Sequence, residues 1–229
     1  MSKRTIVISL GGSMIVPDEI DIAFLNRFKT TIEHHVSHTT DRVIITTGGG
    51  SVCRRYNRAA VAISQASHEN QDWIGIASTR LNAELLRVMF YPRSHAKVIQ
   101  DPTIRVQSSK RILIGAGWKP GHSSDMAAVE IARVYGATTI INLSNISHVY
   151  SADPRIHQEA KPIDDLTWNN YLKLVPKVWV PGLNTPFDPV ASQKARRYQL
   201  SVLILSDPSC KQLVSALANK TFIGSRIHP

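Results

Sequence analysis

The chain has only two cysteines in 229 residues, Cys53 and Cys210, and no Cys-x-x-Cys pair. That excludes a disulfide framework and a cysteine-built zinc site, and two free thiols suit a reducing compartment. No apolar run approaches the roughly 18 residues of a membrane span. The start, Lys3-Arg4 before an apolar stretch, imitates a signal peptide, but Gly11-Gly12 end the stretch and Asp18, Glu19 and Asp21 follow at once. A cytoplasmic location is expected. Acidic residues are scarce, 17 against 27 basic, so the formal net charge is +10. Such an excess attracts polyanions. The basic residues are nonetheless scattered, as at Arg42, Arg54, Arg80, Arg111 and Arg196, and aromatics at 7% form no single-strand platform. Small anionic substrates and a solvated basic surface account for the charge, and specific nucleic-acid binding is not expected.

Hydrophobic residues, at 43%, supply the core of a folded domain. Two glycine clusters each follow a β-branched apolar run: Ile6-Val7-Ile8-Ser9-Leu10 leads into Gly11-Gly12-Ser13, and Val43-Ile44-Ile45-Thr46-Thr47 into Gly48-Gly49-Gly50. Each reads as a buried strand emptying into a loop whose backbone N–H groups converge on an anion, because no Cβ keeps the ligand away. Two such loops in one sheet can hold two phosphorylated groups face to face, as phosphoryl transfer requires. The plain alternative is a pair of tight turns.

Apolar spacing predicts helices over about 20–36, 51–66, 73–90 and 126–135, with strands at 42–47, 111–114 and 138–143 and an apolar run at 96–99. The second half carries a turn at Asp153-Pro154, a short helix capped by Thr167, a proline-marked loop at 176–189, helices over about 190–198 and 209–218, a strand at 202–205 and an edge segment at 222–227. Strands alternating with helices specify an α/β fold: a mostly parallel sheet covered on both faces. No linker separates two units, so one domain is expected, with an amino-terminal lobe of about 1–135 and a carboxy-terminal lobe of about 136–229.

A third loop, Trp118-Lys119-Pro120-Gly121-His122-Ser123-Ser124-Asp125 followed by Ala127-Ala128, resembles the Pro-Gly-His-Thr-Thr-Asp segment of the archaeal type of uridylate kinase, a branch of the amino acid kinase superfamily. Asp72-Trp73-Ile74-Gly75-Ile76, Arg80-Leu81-Asn82-Ala83, the segment from Asn145 through Tyr150 to Asp153-Pro154, and Asp188-Pro189 agree in the same order. The resemblance spans nearly the whole chain. It implies a three-layer αβα sandwich, transfer of phosphate from ATP to UMP with Mg²⁺ on the donor, no protein-built metal site, pyrimidine nucleotide synthesis, and a hexamer.

Residue by residue, the resemblance places Gly11, Gly12 and Ser13 at the transferring phosphate and Gly48, Gly49 and Gly50 at the UMP phosphate. Arg54, one turn into the next helix, would grip that phosphate; otherwise it is a solvated side chain. Asp72 matches the aspartate that takes the ribose hydroxyls, or else it caps a helix beginning at Trp73. Gly75 belongs to the same segment. Lys119, Gly121, His122, Ser123 and Ser124 would border the uracil and the reacting phosphates. Asp125 corresponds to the aspartate that organises lysines and glycine loops, or it caps its own helix. Asn145, Tyr150 and Asp153 match the segment flanking adenine and ribose of ATP, although Asp153-Pro154 is equally the mark of a turn.

Two departures stand out. Many members carry a lysine two residues before the first glycine pair, where this chain has Ser9, so either another cation such as Lys119 substitutes or phosphate transfer is slow. The family's Asn-Val-Asp-Gly-Val-Tyr becomes Asn145-Ile146-Ser147-His148-Val149-Tyr150, with a ring where a glycine stood. Two other functions compete: a nucleotide- or oxyanion-binding relative similar to the molybdenum storage proteins, and a kinase for another small phosphorylated acceptor. Isopentenyl phosphate kinases place a histidine after the second glycine loop, where this chain has Ser51-Val52-Cys53-Arg54-Arg55.

Overall fold

The computed structural model describes residues 4–176 and 185–229. The first half runs β1 (Thr5–Leu10), α1 (Gly12–Ile15), α2 (Ile22–His38), β2 (Arg42–Thr47), α3 (Gly50–Ser64), α4 (His68–Met89), β3 (Ile112–Gly115), α5 (Ser124–Tyr135) and β4 (Thr139–Leu143). The second half runs β5 (Val149–Tyr150), β6 (Pro162–Ile163), β7 (Asp165–Thr167), α6 (Trp168–Leu174), α7 (Pro189–Arg197), β8 (Ser201–Leu205), α8 (Lys211–Leu217) and β9 (Ser225–His228). Seven strands form one sheet in the order β3-β2-β1-β4-β8-β9-β7. Pairing is parallel from β3 to β8; β9 then runs antiparallel to β8, with β7 parallel to β9.

The strands are Val- and Ile-rich because both faces are covered. Alternation sends Ile6, Ile8 and Leu10 into a core shared with Phe24 and Phe28 of α2 and Leu213 of α8. Val7, Ile44 and Ile140 enter the opposite core, with Val129 of α5, Tyr171 of α6 and Ala191 of α7. Each fully buried Val, Ile, Leu or Phe among them contributes about 1.5–3 kcal/mol by leaving water. This is the expected sandwich. Among the described residues no helix is long and apolar enough to cross a membrane.

Several boundaries differ from the expectation. α4 starts at His68 rather than near Trp73, because Ser67 accepts from the Asn70 N–H and caps a first turn made of polar residues that carry no periodicity. Asp72 therefore lies inside the helix and does not cap it. α5 starts at Ser124 with Ser123 as its cap, not Asp125. Residues 96–99 form no strand; Ser94 and Ile99 make single bridges to Ile112 and Gly115. Most of the loop expected at 176–189 lies outside the described residues.

Chain order fixes where a ligand crevice opens. β1, β2 and β3 step one way across the sheet, whereas β4 lies on the other side of β1 and β8 follows it. The connections therefore diverge between β1 and β4, and loops at their carboxyl ends part there. At that end the residues paired side by side on the α5 face are polar: Thr46, Ser9 and Asn142.

Candidate active site

Gly11 leaves β1 with its N–H bonded 2.8 Å to the Leu143 carbonyl at the end of β4. The chain turns at once into the single-turn helix α1, which the glycine run did not announce. The two glycine loops touch each other. A Cβ on Gly12 would stand 2.0 Å from the Gly50 nitrogen, and Gly50 itself sits at φ +67°, a conformation that favours glycine. Gly12 and Gly48 are thus explained first by the close approach of two backbones. The N–H groups of Gly12, Ser13, Gly49 and Gly50 head α1 and α3 and find no partner among the described residues.

Two cavities open at this end of the sheet. One, of about 550 Å³, is lined by Ser13, Gly49, Gly50, Arg54, Asp72, Gly75, His122, Ser123, Ser124 and Asn145, so ten of the predicted residues come together there. The other, of about 600 Å³, takes Asn145, His148, Tyr150, Asp153 and Arg155. Asn145 lines both. Gly11, Gly12, Gly48, Lys119 and Gly121 do not line either cavity; the first three form the packed loop backbones behind the wall.

The first cavity is braced by α4. Asp72, Ile76, Thr79, Ala83 and Leu86 recur at helical spacing on one face, and its polar members hold loops. Asp72 accepts the Gly121 N–H at 2.7 Å, and the Thr79 hydroxyl accepts the Gly117 N–H at 2.9 Å. Asn82, 4% exposed, donates to the Gly48 carbonyl at 2.8 Å. Sequence reasoning assigned no role to Thr79 or Asn82; the available signal was polar residues on a helix face that is otherwise apolar. Arg54 is exposed, with one guanidinium nitrogen 3.2 Å from the Pro17 carbonyl. Burial pushes the Cys53 thiol up, an effect opposed by Arg54 and reinforced by Asp72.

Asp125 departs from its expected partners. One oxygen accepts the Ser9 hydroxyl at 2.9 Å and the other accepts the Asp188 N–H at 3.0 Å, so serine occupies the place expected of a lysine. The residue keeps some exposure, yet its carboxylate is enclosed, and burial with the neighbouring Asp188 charge pushes it up to about 7. Asp188, which no reading singled out for a role, caps α7 through the Ala191 N–H at 2.6 Å. Its carboxyl is also raised by burial, against the pull of the Ala191 and Val190 N–H groups, the Ser123 hydroxyl and the His122 charge.

Lys119 lies outside both cavities. It is exposed, and its ammonium lies 4.1 Å from the Trp118 ring centroid, a cation–π arrangement that turns it onto its own loop. In the second cavity, Arg155 forks onto Asp153 at 3.0 and 2.7 Å and holds that carboxyl down at about 2. Asp153 is therefore already paired. His148 is largely buried, with its Nε2 3.8 Å from Asp164 and its ring edge-on to Tyr150 at 6.1 Å.

Known proteins resemble this chain in sequence and fold. The sequence pattern of the amino acid kinase family matches residues 4–206. A uridylate kinase from Methanospirillum hungatei is 31% identical, over 97% of this chain and 94% of its own length. The uridylate kinase structure from Archaeoglobus fulgidus superposes with a TM-score of 0.81 at 31% identity, covering 97% of this chain and 99% of that one. The UMP kinase structure from Ureaplasma parvum, at 20% identity and a TM-score of 0.78 over the full length of both chains, shares the fold. With the pattern matched across nearly its whole length, the chain belongs to the amino acid kinase family, among the archaeal-type uridylate kinases.

Proposed function

We infer that the protein is a nucleoside monophosphate kinase that transfers the γ-phosphoryl group of ATP to UMP, giving UDP and ADP. The observation that carries this reading is the pair of cavities meeting at Asn145, beside four backbone N–H groups without partners. Aligned donors at helix starts suit phosphate, and two adjoining cavities suit two nucleotides whose phosphates meet.

UMP occupies the 550 Å³ cavity. Gly49 and Gly50 offer N–H donors to its phosphate, Arg54 adds a charged grip, and Asp72 stands where a carboxylate can accept ribose hydroxyls. Gly75, Ser123 and Ser124 shape the same wall. ATP occupies the 600 Å³ cavity, with Tyr150 and His148 beside the nucleoside. Gly11, Gly12 and Ser13 form the turn that faces the phosphoryl group in transit. Mg²⁺ neutralises charge on the donor's β- and γ-phosphates when bound. Among the described residues no three His, Cys, Asp or Glu side chains converge on a metal position.

The chain works as one domain, about 1–135 holding the acceptor and about 136–229 the donor, a reading supported by the continuous sheet. It serves pyrimidine nucleotide synthesis in the cytoplasm, in line with two free thiols. It assembles as a homo-oligomer, a hexamer by family resemblance, and Tyr56, Val61 and Ile63 of α3 with Trp73, Leu81 and Val88 of α4 supply exposed apolar surface for contacts. A coupled assay with ATP, Mg²⁺ and a panel of UMP, CMP, AMP and isopentenyl phosphate tests the reading. UMP is expected to be the preferred acceptor; equal or better turnover of isopentenyl phosphate would defeat it.

A further inference from the structure

Charge redistributing on a phosphoryl group in transit is best met by a preorganised positive group inside the site. Ser9 carries none, and its hydroxyl is committed to Asp125. Lys119 points its ammonium at Trp118. Among the described residues, four basic side chains line the two cavities: Arg54, His122, His148 and Arg155. Arg155 is forked onto Asp153, His148 faces Asp164, and Arg54 stands on α3 beside Pro17. His122 directly precedes Ser123 and Ser124, which line the acceptor cavity together with Ser13 and Asn145, the residue shared by both cavities.

The His122 ring is held on two sides. It meets the Trp118 ring edge-on at 4.8 Å, and its Nδ1 lies 3.1 Å from the Pro120 carbonyl oxygen. A carbonyl only accepts, so Nδ1 carries the hydrogen of that bond. Nε2 is then the second nitrogen, which carries a hydrogen only in the imidazolium, and it has no partner among the described residues. The Asp188 carboxylate and a charged His122 would attract each other.

We propose that His122, as an imidazolium, is a further catalytic residue: Nε2–H faces the phosphoryl group passing to UMP and supplies the positive charge that the Ser9 position lacks. The inference rests on the UMP kinase reading. A UMP phosphate oxygen forms the new bond to the γ-phosphorus, the bond from that phosphorus to the β,γ-bridging oxygen breaks, and the electron pair leaves with ADP. His122 keeps its proton throughout, so its contribution is electrostatic. The charged groups near it are Asp188, which caps α7, Lys119 of its own loop, and Arg54 and Asp72, which line the same cavity.

The test is steady-state kinetics of the full chain as wild type, His122→Gln and His122→Arg, with thermal midpoints as controls, from about pH 5.5 to about pH 9. His122→Gln is expected to lose about 100-fold in kcat while KM for UMP and for ATP stays within about threefold, because the charge acts in the transition state. The wild type should lose kcat on the alkaline side, and His122→Gln should not show that decline. His122→Arg, which keeps a charge, should retain at about pH 8 at least about tenfold more kcat than His122→Gln, and this comparison carries the test if the glutamine variant is poorly folded. A kcat for His122→Gln within about threefold of wild type, an effect confined to KM for UMP, or equal kcat for the two variants overturns the proposal. A wild-type protein that does not phosphorylate UMP at all defeats the kinase reading itself and this inference with it.

Discussion

Gly75→Ala separates the stability of the fold from the shape of the acceptor cavity. Gly75 lies inside α4 and also lines the 550 Å³ cavity. A Cβ there meets only the Cys53 sulfur, at 3.6 Å, which is ordinary van der Waals contact. In a helix interior, alanine is more stable than glycine by about 0.5–1 kcal/mol, since the unfolded chain loses freedom and nothing clashes. For a chain of this size that corresponds to a rise of about 1–4 °C in Tm. The same methyl group projects into space that UMP must fill. Crowding a fitted site by one methyl costs about 1–3 kcal/mol, so the Kd for UMP should rise about five- to 150-fold. Circular-dichroism melts and titration calorimetry with UMP read the two effects independently. As a control, Gly136→Ala meets open space but carries φ +67° as the cap of α5, so it should lower stability by about 1 kcal/mol and leave UMP binding unchanged. A lower Tm for Gly75→Ala, or an unaltered Kd for UMP, would refute the placement of this helix face against the nucleotide.

Arg54→Ala removes an exposed guanidinium that contributes little to folding, so Tm should change by less than about 1 °C, while the loss of a charge-assisted bond to the UMP phosphate weakens binding about tenfold or more; calorimetry showing full UMP affinity would return Arg54 to the solvated surface. Asp125→Asn tests the enclosed carboxyl pair. Because Asp125 is pushed up to about 7 from 3.8, the native state holds a proton that the unfolded chain releases over that interval, and this group's contribution to stability declines as pH rises through it. Urea unfolding should show Asp125→Asn gaining on the wild type by up to a few kcal/mol between about pH 5 and about pH 8; a difference that stays constant over that range contradicts the shift.

Runs such as Val43-Ile44-Ile45 announce strands because both of their faces are buried, and the order of these runs and the helical spacings between them was enough to read a parallel α/β sheet. Arg54, Asp72 and the loop around His122, singled out largely through the resemblance of their local motifs, come to line one cavity because each motif stays intact on folding. What stayed hidden depends on contacts distant in sequence. Gly12 and Gly50 touch across two loops, which makes them packing glycines whatever else they do. Asn82 and Thr79 hold loops that arrive from elsewhere in the chain. Lys119 and Asp153 were hidden for a different, local reason, the choice of side-chain rotamer, which turns the Lys119 ammonium onto Trp118 and forks Arg155 onto Asp153. The short strands β5, β6 and β7 are too brief for any periodicity to show.

The central claim, two nucleotide cavities joined at Asn145, is tested most directly by calorimetry with a single molecule that links adenosine and uridine through five phosphates. If the cavities are continuous at their phosphate ends, that molecule binds once per chain, more tightly than either UMP or ATP alone, and excludes both. Binding that displaces only one of the two nucleotides, or no tighter than the better of them, would contradict the account.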